Sequence, residues 1–182
     1  PRPHLGALGP LQVHDGSAWR TIGSPKRRAV LAALVARAPH PVSVETLVRE
    51  VWGDAPPASA RTQVHGYVLH LRRALPACAA DALTTTTTGY ALDVATLGTD
   101  ADRAERGLVV ARTALAAGDP VGAAQVVDGA RGLWRGDPFE DVVATPVVRA
   151  RVEHLAELRR EVEETGFAAL LGQGLHAEAV GP

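Results

Sequence analysis

The chain has 182 residues, 46% of them hydrophobic and 21% charged, enough for one large or two small globular cores. Its net charge of −1 hides an asymmetry: residues 1–98 carry ten Lys/Arg against six Asp/Glu, residues 99–182 nine against fourteen, which favours two domains with different partners. A single cysteine, Cys78, excludes an intrachain disulfide and a cysteine-built metal cage; no apolar run could span a bilayer, and PRPHLGALGP lacks the charged start and apolar core of a signal peptide, so a soluble, cytoplasmic chain is expected.

The runs HLGALG, LQVH and AWRTIG have strand character, and Asp15-Gly16 is a hairpin signal, so three short antiparallel strands are expected. SPKRRAVLAALVARA then reads as a helix: Ser24 stands at the cap, Pro25 at the first helical position, and Val30, Leu31, Leu34 and Val35 recur at helical spacing. Pro39 and Pro41 end it, Ser43 caps a second helix over 44–51, and GDAPPAS turns into a third. In that third helix, ARTQVHGYVLHLRRAL, the residues Ala60, Val64, Val68, Leu71 and Leu75 form one narrow core stripe. The other side carries Arg61, Thr62, His65, Gly66, Leu69, His70, Arg72 and Arg73, with no carboxylate among them. ALTTTTT and YALDVA, joined at Gly89, read as a terminal hairpin.

From Thr99 onward only helices are expected. Asp100 or Asp102 caps RAERGLVVARTALAA, Gly118 stops it, and Asp119-Pro120 opens VGAAQVVDGARGLW. RGDPFEDVVAT reads as a loop whose acids Asp137, Glu140 and Asp141 are solvated, and Trp134 and Phe139 as residues packing the helical hairpins together. Pro146 opens a last helix running to about Leu171. Leu115-x-x-Gly118 with Ala123 recurs as Leu171-x-x-Gly174 with Ala179, a weak repeat of the kind found in stacked helical hairpins, and the chain stops just inside the second copy. Few apolar residues lie at DVATLGTD, so the halves 1–98 and 99–182 are expected to fold separately.

Three strands, three helices and a hairpin make a winged helix, in which the third helix enters the DNA major groove and the hairpin lies over the backbone. The fold class expected is therefore mainly α with small antiparallel β: a winged helix-turn-helix domain followed by an all-α, tetratricopeptide-like domain. Arginine can clamp guanine or phosphate, Thr and His can bond base edges, and Gly66 lets backbone approach backbone. A face without acids does not repel phosphate. Against this stands a simpler reading of Arg72 and Arg73, which near a helix C-terminus favour the macrodipole without any DNA. His65 and His70 are five residues apart and do not share a helix face, so no metal site is expected; Trp52 reads as a core aromatic with an exposed edge, and Cys78 as a spacer. Lys26 follows proline rather than a glycine-rich loop, so no nucleotide site, cofactor or enzymatic activity is expected.

The segments GSPKRRAVLAALV, VWGDAPPASARTQVHGYVLHLRRAL, TGYAL and ALAAGDPVGAAQVVDGARGLWRGDPFEDV together resemble the Streptomyces antibiotic regulatory protein family of transcriptional activators, over nearly the whole chain. The resemblance implies an OmpR-type winged helix over 1–98 and a bacterial transcriptional activation domain over 99–182, cut short by the end of the sequence. It also implies binding to direct repeats in double-stranded DNA near promoters by two protomers side by side, and recruitment of RNA polymerase. Carried onto this sequence, it puts Trp52 near a phosphate, lines the groove with Thr62, His65, Gly66, Leu69 and His70, and makes Arg72 and the wing residue Thr84 grip phosphate. Two positions depart: His70 and Thr86 stand where related winged helices often carry arginine, so weaker or more cooperative binding is expected. Two other readings remain open, a protein-interaction module working through its helical hairpins, and the N-terminal part of a larger regulator with an ATPase module.

Overall fold

The structure is a computed structural model describing residues 4–76 and 81–176; Cys78 and Ala179 lie outside these residues. The N-terminal runs form an antiparallel sheet of β1 (His4–Gly6), β2 (Gln12–His14) and β3 (Trp19–Thr21), in that order. Gly16 takes φ 105° in the turn between β2 and β3, and the Asp15 carboxylate accepts backbone N–H bonds from Ala18 at 3.0 Å and Ser17 at 2.9 Å. These bonds, the one from Ala18 foremost, hold Asp15 well below the usual carboxylate range.

Helix α1 (Pro25–Arg37) buries Val30, Leu31, Leu34 and Val35 as their spacing requires. Helix α2 (Val44–Trp52) is capped by the Ser43 hydroxyl, which accepts from the Thr46 N–H at 3.1 Å. Helix α3 (Ala60–Ala74) follows, then the hairpin of β5 (Leu83–Thr85) and β6 (Gly89–Leu92). The sequence gives no signal for β4 (Val42–Ser43), two residues long, which pairs with β6 so that the hairpin belongs to a sheet ordered β4-β6-β5. That pairing explains Gly89, where a Cβ would stand 2.0 Å from the Val42 carbonyl oxygen. DVA, read as the end of the hairpin, instead opens the short helix α4 (Val94–Leu97), whose cap Asp93 accepts from the N–H groups of Ala95 and Thr96.

The second half is α5 (Asp100–Ala116), α6 (Pro120–Arg131) and α7 (Pro146–Gly172), packed on one another through Ala104, Leu108, Ala111, Ala123, Val127 and Val162. The weak repeat has a geometric basis. Gly118 and Gly174 both take a left-handed φ, 79° and 78°, and donate to the carbonyls of Leu115 and Leu171, each at 3.0 Å. The residues after them reach back to Ala114 and Leu170, so both helices close with the same backbone turn.

One expectation is corrected at the junction. The cap of α5 is Thr99, whose hydroxyl accepts from the Asp102 N–H at 2.9 Å, rather than Asp100 or Asp102. Asp100 is buried and accepts the N–H groups of Ala7 at 2.8 Å and Leu8 at 3.0 Å. Hydrogen bonds therefore cross the junction between the halves. Polar bonds reinforce one buried apolar cluster that runs through both halves, with α1 packed on α7; apart from Leu97 its buried residues lie outside DVATLGTD, so that segment alone carries little sign of it. Leu5 donates to the Gly98 carbonyl at 3.0 Å, Arg135 and Phe139 donate backbone N–H bonds to Leu8 and Ala7, and Asp141 accepts from the Leu11 N–H at 2.7 Å and pairs with Arg28. The acidic loop is thus structural rather than solvated at Asp141, and buried Phe139 sits at the joint with the N-terminal sheet. The Arg135 guanidinium lies 3.9 Å from the Trp19 ring centre and donates to Gln12 and Pro10.

Candidate nucleic-acid interface

Ala60, Val64, Val68, Leu71 and the following Leu75 are all buried, which fixes the rotation of α3 about its axis. At about 100° per residue the face opposite this stripe is Thr62, Gly66, Leu69 and Arg73. Thr62, Leu69 and Arg73 are exposed, and the space above Gly66 is open: a Cβ there would meet nothing within 4 Å. Arg61, His65 and Arg72 form the edge beside the hairpin, and Gln63, Tyr67 and His70 the edge beside α2.

The hairpin edge is tightly connected. His65 Nδ1 and the Tyr90 hydroxyl are 2.6 Å apart, while Arg72 donates from Nε to the Leu83 carbonyl and from Nη2 to the Thr85 hydroxyl, both at 2.8 Å. The Arg72 guanidinium also lies 5.8 Å from the Tyr90 ring centre. Arg72, expected to grip phosphate, thus uses two of its five N–H donors to fasten the hairpin to α3. Thr84 is exposed on β5, and Thr86 accepts the Gly89 N–H at 3.1 Å, which shapes the hairpin turn. Leu69 and His70 stand exposed on the outward half of the helix.

The face is not free of acids once its neighbours are counted. Glu45, at the start of α2, makes an ion pair with Arg61. Its own backbone N–H and then Arg61 draw the Glu45 carboxyl below its ordinary pKa. Glu45, Arg61, His65, Thr85, Thr86 and Tyr90 line one polar cleft between α2, α3 and the hairpin. On the far edge Trp52 is half-buried and stacked on Tyr67, with ring centres 6.1 Å apart and planes 18° from parallel. Reading α3 alone misses Glu45 and Tyr90, which lie on other elements, while Tyr67 stands on the edge of α3 itself and shows its role only through its stack on Trp52; the signal for Tyr90 is its place in TGYAL, two residues of which pair with β4.

The brace gives an expected result. Arg72→Lys keeps the charge but cannot reproduce two directed bonds, which in this half-exposed setting should cost about 1 kcal/mol. Amide exchange at 83–85 should quicken, while the total charge available to phosphates stays the same. Unaltered exchange in the Lys variant would contradict the brace.

Comparison with known proteins places this arrangement in a family. The model described as "Transcriptional regulatory protein, C terminal" matches residues 20–92, and the one described as "Bacterial transcriptional activator domain" matches residues 99–182. Regulatory protein DnrI of Streptomyces peucetius is 34% identical over 181 residues, covering 95% of this chain and 66% of DnrI. The chain belongs to the Streptomyces antibiotic regulatory protein family. Regulatory protein AfsR of Streptomyces coelicolor is 34% identical over 178 residues, 97% of this chain but 17% of AfsR. A solved structure, "Mycobacterium tuberculosis EmbR in complex with low affinity phosphopeptide", superposes with a TM-score of 0.87 at 30% identity, over 98% of this chain and 48% of EmbR. The chain therefore spans less than two thirds of the length of these relatives. This is a family of transcriptional regulators, and its two-part architecture, a winged helix followed by a helical domain, is the fold described above. Among the described residues no helix is long and apolar enough to cross a membrane.

Proposed function

We propose that this member of the family is a sequence-specific, DNA-binding transcriptional activator. The observation that carries the reading is the outward face of α3: Thr62, Leu69 and Arg73 exposed around the open position of Gly66, on a helix anchored by its opposite stripe. In this reading α3 lies in the major groove, where Thr62, His65, Gly66, Leu69 and His70 meet base edges. Arg61, Arg73, Trp52, Thr84 and Thr86 approach the sugar-phosphate backbone, and Arg72 holds the hairpin at the angle that lets it do so. Residues 1–98 form the DNA-binding part and 99–182 the activation domain. The two are joined through Asp100 and Asp141, so that the helical part is carried in a fixed orientation on the operator.

Two protomers bind direct repeats near a promoter in the cytoplasm, and the acidic helical half contacts RNA polymerase. Val109 and Val110, exposed on α5 beside Glu105 and Arg106, support a protein contact there. No catalytic step belongs to this function. The test is a footprint on the DNA upstream of the gene for this chain: two protected segments in direct repetition are expected, and no protection at low salt would overturn the reading.

Gly66 separates fold from function. Gly66→Ala meets no crowding and replaces a helical glycine, so stability should hold or rise by up to about 1 kcal/mol. Affinity for the specific site should nonetheless fall at least about tenfold, because the new methyl group occupies the space into which DNA must come. An Ala variant that is more stable and binds as tightly would remove Gly66 from the interface.

A further inference from the structure

We propose that Lys26, in the first turn of α1, is a phosphate contact on the rim of the groove opposite the hairpin. The inference rests on the DNA-binding reading and adds a residue outside α2, α3 and the hairpin. A helix about 10–12 Å across nearly fills a major groove about 12 Å wide, so phosphates run along both of its edges. On one edge stand the hairpin threonines. On the other, Tyr67 projects from α3, Trp52 stacks on Tyr67, and the Lys26 ammonium lies 5.1 Å from the Trp52 ring centre. The aromatic pair thus leads from the edge of the recognition helix to a cation.

That cation is uncommitted. Arg20, Arg28 and Arg61 pair with Asp15, Asp141 and Glu45, and Arg72 is bound to the hairpin, whereas no acidic side chain among the described residues lies within ion-pair distance of exposed Lys26. Apart from the Trp52 ring, the helix itself disfavours a positive charge at this place. The first turn of α1 holds Lys26, Arg27 and Arg28 and no acid, against the polarity of the helix macrodipole. Contact with the Trp52 ring steadies the ammonium without neutralising it, leaving its full charge for an anion beyond the ring.

Lys26 is the only lysine of the chain, so an amine-selective acylating ester reports on one side chain, distinguished from the terminal amine by peptide mapping. The experiment compares its rate of acylation in the free protein and in complex with a duplex carrying the upstream region. Lys26→Gln and Lys26→Arg are titrated on that duplex and on a random one across salt. Protection of at least about fivefold in the complex is expected, and Lys26→Gln should weaken binding to both duplexes alike while lowering the salt slope by about one; Lys26→Arg should restore both. Equal acylation rates with and without duplex, or an unchanged slope in a folded Lys26→Gln protein, would overturn the proposal. If Lys26→Gln does not fold, the protection measurement on the unmodified protein decides alone. Failure of the DNA-binding reading looks different: the unmodified protein then binds neither duplex in a salt-dependent way.

Discussion

Asp100→Ala is expected to destabilise the whole chain by about 3–5 kcal/mol, the range for breaking a buried ionic contact by removing one partner. Asp100 is 1% exposed, and its carboxylate accepts from Ala7 and Leu8 while Arg135 approaches to 3.4 Å. Truncation leaves two buried N–H groups without acceptors and a guanidinium in contact with Trp19 without its counter-charge. The lost bonds join residue 100 to residues 7 and 8, so the damage falls on both halves at once. Urea unfolding followed by far-ultraviolet circular dichroism and by tryptophan fluorescence should show one shared transition, shifted in the variant. A fragment of residues 1–98 should be far less stable than the chain, because the connection between β1 and β2 loses Asp100, Arg135 and Asp141 together. Separate transitions, or a loss under about 1 kcal/mol, would contradict this account of the joint.

Leu69→Glu is expected to abolish specific DNA binding while leaving the fold intact. Leu69 is 47% exposed on the outward face of α3, so replacing it removes little buried surface and should change stability by no more than about 0.5 kcal/mol. In the proposed complex the new carboxylate stands within the groove, between phosphates and against base edges. A loss of at least about a hundredfold, near 3 kcal/mol, is expected. Leu69→Gln has a similar shape without the charge and should lose much less. Equal losses in the two variants would mean that shape rather than charge governs this face. Unchanged binding by Leu69→Glu would remove α3 from the groove.

The legible parts of the fold were those with local causes. Ser24-Pro25, Ser43, Gly118 and Asp119-Pro120 mark helix ends through their own backbone chemistry, and the stripe from Ala60 to Leu75 sets which face of α3 is free. The illegible parts were made by residues far apart in the chain. Neither two-residue β4 nor the reason for Gly89 can be seen until Val42 lies against Tyr90. The role of Asp100 appears only when Ala7 and Leu8 come to it across more than ninety residues. At the interface the same distinction holds. Spacing identifies the outward face of α3, but the commitment of Arg72 to Leu83 and Thr85, and of Arg61 to Glu45, depends on elements that meet only in the folded chain.

Equilibrium binding of the unmodified protein to its upstream region and to a random duplex, measured across a series of salt concentrations, tests the central claim most directly. Affinity for both duplexes should fall linearly on a double-logarithmic plot, with a slope of about −0.9 for each phosphate neutralised. The upstream region should be bound at least about a thousandfold more tightly than the random duplex at the same salt. Binding that is insensitive to salt, or equal for the two duplexes, would contradict the account.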